Sequence, residues 1–127
     1  MIVLDASALL ALLNQERGWQ VVAEHVVSQD ITISAVNYAE VLQKATSHGV
    51  AAEEIDAQMD VVGITVSPFG RLDARLAASF YRHRSGLSLA DRVCLALARS
   101  ISSPACTADR LWAEWAEEFD LEVILIR

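Results

Sequence analysis

Little in this 127-residue sequence interrupts a core: it has five Gly, two Pro and two Cys. Collagen-like and low-complexity chains need far more of the first two, and disulfide-stapled mini-proteins need more of the third. Cys94 and Cys106 lack C-x-x-C spacing and read as buried, reduced thiols of a cytoplasmic protein. The only histidines, His25, His48 and His83, are too scattered for a zinc site. No apolar run reaches the ~18 residues of a membrane span. The longest, Met1 to Leu13, is interrupted by Asp5 and has no cationic flank, so neither an anchor nor a signal peptide is expected. Lysine is nearly absent: Lys44 stands alone.

What is present is a globular composition. The chain is 54% apolar, enough for one core without staples, and residues 1–127 read as a single domain. A net charge of −7 argues against a general nucleic-acid coat protein. The charge is unevenly spread. Residues 1–70 carry nine acids and two cations, residues 71–110 three and seven, residues 111–127 five and one. The 71–110 segment is therefore a locally basic stretch of an acidic protein.

Short β-branched or aliphatic runs alternate with helical stretches. Ile2–Leu4, Ile31–Ile33, Ile64–Val66, Ala105–Thr107 and Val123–Ile126 read as strands. Helices are expected over Ala8–Asn14, Gln20–Ser28, Asn37–His48 (after a Ser34 cap), Ala52–Val62, Leu72–Arg84, a segment starting at Ser88, and Asp109–Phe119. Ser88-Leu89-Ala90-Asp91 has the spacing of a capping box. Trp112 and Trp115 are expected to pack inward. This alternation predicts an α/β fold around a mainly parallel sheet of four to five short strands. Sites in such sheets form beyond the carboxyl ends of the strands.

Four acids occupy strand ends or early helix positions among apolar neighbours: Asp5, Glu40, Asp91 and Asp109. A parallel sheet gathers such positions on one edge. Carboxylates ~5 Å apart repel by on the order of 3 kcal/mol per pair at an effective dielectric of ~20. Divalent Mg²⁺ or Mn²⁺, one ion or two, relieves that conflict with oxygen ligands alone. The chemistry this suggests is metal-assisted phosphodiester hydrolysis. Ser7, Asn37 and Thr107 lie two or three residues from these acids and are placed to orient them. Arg82, Arg84 and Arg110, in the basic segment, are candidate contacts to substrate phosphates.

The segments I-V-L-D-A-S-A (2–8), S-A-V-N-Y-A-E-V (34–41), G-L-S-L-A-D-R-V-C-L-A-L-A (86–98) and T-A-D-R-L-W (107–112) span nearly the whole chain. In order and spacing the sequence resembles the PIN-domain ribonucleases, and among them the VapC-type toxins of bacterial toxin–antitoxin pairs. The resemblance implies a three-layer α/β/α domain and a Mg²⁺- or Mn²⁺-dependent endoribonuclease. It also implies a homodimer and inhibition by a small VapB-type antitoxin, with an antitoxin arginine reaching the acidic pocket. Carried over by motif, the acids are Asp5, Glu40, Asp91 and Asp109, supported by Ser7, Asn37 and Thr107. Helices between residues 37 and 62 are candidate dimer surfaces. Alternatives are an RNA-processing nuclease that is not a toxin, a non-catalytic module on the same scaffold, and a flap-type DNA nuclease. A receiver or haloacid-dehalogenase domain is disfavoured, since those sites need a strand-end lysine and Lys44 falls inside a helix.

Overall fold

Each strand of the sheet is short and bulky. The computed structural model describes residues 1–127. It contains β1 (Ile2–Leu4), β2 (Ile31–Ser34), β3 (Ile64–Ser67), β4 (Ala105–Thr107) and β5 (Val123–Leu125). The strands lie in the order β3-β2-β1-β4-β5, and every pairing is parallel. The helices are α1 (Ala6–Asn14), α2 (Trp19–Ser28), α3 (Ala35–Ser47), α4 (Ala52–Val62), α5 (Arg71–Ser79), α6 (Leu89–Ser100) and α7 (Trp112–Trp115).

The two faces of the sheet separate cleanly because strand side chains alternate. Ile2 and Leu4 of β1 point into one core with Leu9, Val22, Val41 and Ile55, drawn from α1 to α4. Val3 and Ala105 point into the other with Ala77, Val93, Leu95 and Trp112, drawn from α5 to α7. Helices thus cover both faces, giving the expected three layers.

The chain order explains where a site can form. From β1 the chain moves outward through β2 to β3, then returns to the other side of β1 for β4 and β5. The direction of winding reverses between β1 and β4, and a crevice opens beyond their carboxyl ends. Leu4 pairs with Cys106 there, so Asp5 and Thr107 leave the sheet side by side.

Two helices are shorter than their sequence suggests. The helix expected to reach Arg84 stops at Ser79. Phe80 leaves it to stack on Phe119, with ring centroids 4.4 Å apart, and Arg84 takes a left-handed φ of 54°. Aromatic packing here overrides the helix preference of the arginines. Regular α-helix within Asp109–Phe119 is confined to Trp112–Trp115 and is followed by turns. Trp112 is fully buried and Trp115 half-buried. Cys94 and Cys106 are buried free thiols. No helix is long and apolar enough to cross a membrane.

Candidate active site

Asp5 follows β1 and caps α1: its Oδ1 accepts the Ala8 N–H at 2.9 Å. A capping aspartate satisfies an amide that the helix leaves unpaired. Two hydroxyls complete its surroundings. Ser7 Oγ donates to Oδ1 at 2.7 Å, and Thr107 Oγ1 donates to Oδ2 at 2.6 Å. The Thr107 bond joins residues 102 positions apart and ties the ends of β1 and β4 together. Ser7 Oγ in turn accepts the Ala108 N–H at 2.9 Å, and Thr107 Oγ1 accepts the Asp109 N–H at 3.0 Å. The expected supporting roles of Ser7 and Thr107 are therefore visible as bonds to the acid and to the loop carrying Asp109.

Burial raises the Asp5 carboxyl from 3.8 to about 6; the bonds from Thr107, Ser7 and Ala8 oppose this, and the charge on Asp91 adds to it. The Asp91 carboxyl is also raised, first by burial and further by nearby Asp109, against the hydrogen bonds from Ser88. Asp91 sits in the capping box that starts α6. Its Oδ2 accepts the Ser88 N–H at 2.9 Å, and Ser88 Oγ accepts the Asp91 N–H at 3.1 Å. Asn37 is buried, and its Nδ2 donates to Glu40 Oε1 and to the Ala90 carbonyl, each at 3.1 Å. One amide thus orients Glu40 on α3 and fixes α3 against the start of α6. Asp109 Oδ1 accepts the Leu111 N–H at 3.0 Å.

All four acids line one cleft of about 400 Å³, together with Ala6, Ser7, Leu10, Lys44 and Ala108. The acids do not close around a common point. No three acidic, histidine or cysteine side chains converge closely enough to enclose an ion. Each carboxylate is instead held by its own local donor, and like charges favour that spread. The donor chemistry still fits a hard divalent cation: every candidate ligand is an anionic oxygen, and one is a buried carboxyl whose ionisation is opposed by burial and by the charge of Asp91.

The arginine expectations fare differently. Arg82 is committed elsewhere. Its Nε donates to Glu118 at 2.6 Å, its Nη1 to the Ser79 and Tyr81 carbonyls, and its guanidinium lies 5.2 Å from the Phe119 ring centroid. Arg84 and Arg110 are exposed and do not line the cleft. Sequence reasoning missed Lys44, the only cation that does. Its signal was its spacing of four residues after Glu40, which puts both on one face of α3.

Residues 2–118 match the PIN domain family. A VapC ribonuclease of Mycobacterium bovis and ribonuclease VapC42 of Mycobacterium tuberculosis are each 30% identical over 112 residues, covering 80% of this chain and 86% of theirs. Among solved structures, a toxin–antitoxin complex from Klebsiella pneumoniae contains a chain that superposes with a TM-score of 0.76 at 18% identity, covering 100% of this chain and 98% of that one. Mycobacterium tuberculosis VapC20, described as a sarcin–ricin loop cleaving toxin, superposes at 0.69 with 17% identity, covering 90% of this chain and 95% of its own. With the switch-point cleft and its four acids, these likenesses place the chain in the PIN-domain family, among the VapC ribonucleases.

Proposed function

We propose that this protein is a Mg²⁺- or Mn²⁺-dependent endoribonuclease, the toxin of a VapBC-type pair, acting in the cytoplasm. The observation that carries this reading is the cleft itself. Asp5, Glu40, Asp91 and Asp109, from four separate elements or their ends, line one crevice at the reversal of the sheet. Its likeness to proteins named VapC ribonucleases supports RNA as the substrate.

Asp5, Glu40, Asp91 and Asp109 would hold the ion or ions. When bound, such an ion supplies acidification of water and neutralisation of charge developing on the phosphate. The chain supplies orientation and charge. Asp5 gives up its proton above about pH 6, and the hydroxyls of Ser7 and Thr107 hold its two oxygens at fixed angles. Asn37 turns Glu40, and Ser88 turns Asp91, so neither carboxylate rotates freely. Arg110, beside Asp109, is assigned to RNA phosphates leaving the cleft, with Arg84 further out.

A VapB-type antitoxin is the proposed partner, its arginine pairing with the carboxylates, because a guanidinium matches such oxygens in charge and shape. Several fold neighbours are described as toxin–antitoxin complexes. The proposed assembly is a homodimer through the helices between residues 37 and 62, on faces other than the Glu40–Gln43–Lys44–Ser47 edge that borders the cleft.

The test is incubation of purified protein with total RNA and Mn²⁺, followed by sequencing of the new ends. Discrete ends that vanish in EDTA and in Asp5→Asn support the reading. RNA left intact by the wild-type protein in Mg²⁺ and in Mn²⁺ refutes it.

A further inference from the structure

Lys44 is the single lysine of the chain and the single cationic side chain lining the carboxylate cleft. It follows Glu40 by four residues on α3, the orientation in which an acid and a lysine pair most readily. They do not pair. The only ion pairs in the molecule are Arg82–Glu118 and Arg99–Asp120, so the Lys44 ammonium lies more than 4.0 Å from every carboxylate. Glu40 takes its hydrogen bond from Asn37 instead. Lys44 is thus an exposed, unpaired cation at the edge of an anionic site, where it opposes cation binding by its charge.

A second cavity, also about 400 Å³, continues the cleft along the seam of α1 and α3. The two share Ala6, Leu10, Glu40 and Lys44, and the extension adds Gln43 and Ser47. Ser47 Oγ already donates to the Lys44 carbonyl at 2.7 Å. The Gln43 amide is exposed at the rim of this extension, where it offers both donor and acceptor. A point cation at the junction and a free amide in the extension match a phosphate followed by a base edge, the units in which single-stranded RNA is read.

We propose that Lys44 and Gln43 form a subsite for the nucleotide next to the scissile phosphate, Lys44 gripping that nucleotide's phosphate and Gln43 its base edge. This rests on the ribonuclease reading above. The subsite also explains the lone lysine. RNA steered to one wall of the cleft presents its backbone to the carboxylates in a single direction.

The experiment is equilibrium binding of fluorescent single-stranded RNA decamers to Asp5→Asn protein in Mg²⁺, across a range of salt, with and without Lys44→Gln. Loss of one phosphate contact on single-stranded RNA lowers the slope of log affinity against log salt by about 0.7. The expected result is that change in slope with an affinity loss of about fivefold, both restored by Lys44→Arg. Gln43→Ala is expected to reduce the differences among A-, C-, G- and U-decamers while leaving the salt slope unchanged. In wild-type background, Lys44→Gln is expected to raise KM and to tighten Mn²⁺ binding in the absence of RNA, a pair of opposite shifts that a merely structural lysine would not produce. An unchanged salt slope in Lys44→Gln, with RNA bound normally, overturns the subsite and leaves the ribonuclease reading standing. Unchanged RNA binding with weakened binding of a protein partner reassigns the groove to that partner. Failure of both the Asp5→Asn parent and wild-type protein in EDTA to bind any RNA, with RNA left uncut by wild type in Mn²⁺, overturns the ribonuclease reading together with the subsite.

Discussion

At Asp5, the burial that lifts the carboxyl to about 6 makes its charge part of the folding equilibrium. Between 3.8 and about 6 the folded protein keeps a proton that the unfolded chain has released. Metal-free stability therefore declines as pH rises through this window, by about 3 kcal/mol in all, and the penalty is absent below it. Asparagine at position 5 cannot ionise. In urea denaturation with EDTA, the stability of Asp5→Asn relative to wild type should thus improve from pH 4 to pH 7; a difference that stays constant would exclude burial of the charge as the cause. RNA cleavage by the same variant should fall by at least about 100-fold, since it loses a proposed ligand. Thr107→Val removes the 2.6 Å donor to Oδ2, one of the bonds that hold the carboxyl down. The acid limb of its pH–rate profile should move to higher pH, with activity lowered by about tenfold. Cys106 sits behind the same carboxyl, and burial pushes its thiol up to about 12, with Asp5 adding to the effect. It stays protonated and inert toward thiol reagents in the native state.

Elements meet this site through their ends, so caps and turns are the sensitive positions. Ser88→Ala breaks the capping box of α6 and should cost about 1 kcal/mol in chemical denaturation. It also removes the acceptor of the Asp91 N–H while leaving the Ser88 N–H that holds the carboxylate, so the first turn that positions Asp91 loosens and cleavage should fall by more than the stability loss accounts for. Gly18, which starts α2, has a φ of 92°, and a Cβ there would lie 2.2 Å from the Ile126 carbonyl oxygen. Gly18→Ala must therefore push the Ile126 backbone, just past β5, away from the start of α2 while also straining its own backbone. Its destabilisation should exceed the ~1 kcal/mol of an ordinary glycine replacement, read as a lowered urea midpoint. At this scale the sequence was largely legible. The five strands are short β-branched or aliphatic runs, and Ser34 and Ser88 are recognisable caps. The end of α5 was not legible, because Phe80 leaves the helix for Phe119, a ring 39 residues further on. Local propensity carries no record of such a partner.

The whole molecule turns four distant acids into neighbours through sheet order alone. That Asp5, Glu40 and Asp91 share an edge was readable from their apolar neighbours, and that Asp109, beside Arg110, joins them was readable from its place after β4. Their separation was not. The caps that hold Asp5 and Asp91 are local, and they keep the carboxylates from collapsing onto one point. Lys44 went unnoticed for a related reason: its place in a helix was readable, but the cleft it borders exists only after packing. An ion that binds the native cleft and not the unfolded chain adds about 2.7 kcal/mol at 100 times its Kd. Mg²⁺ or Mn²⁺ should raise the melting temperature by several degrees, more at pH 7 than at pH 5, where a proton competes at Asp5. Equal shifts at the two pH values would separate metal binding from that carboxyl.

The bond from Thr107 to Asp5 closes the molecule across almost its full length. A ribosome that has released only the first hundred residues holds a chain with neither that clasp nor Asp109. The first acid of the cleft therefore waits for the last: no chain shorter than Asp109 can complete the set, however well its earlier elements have folded.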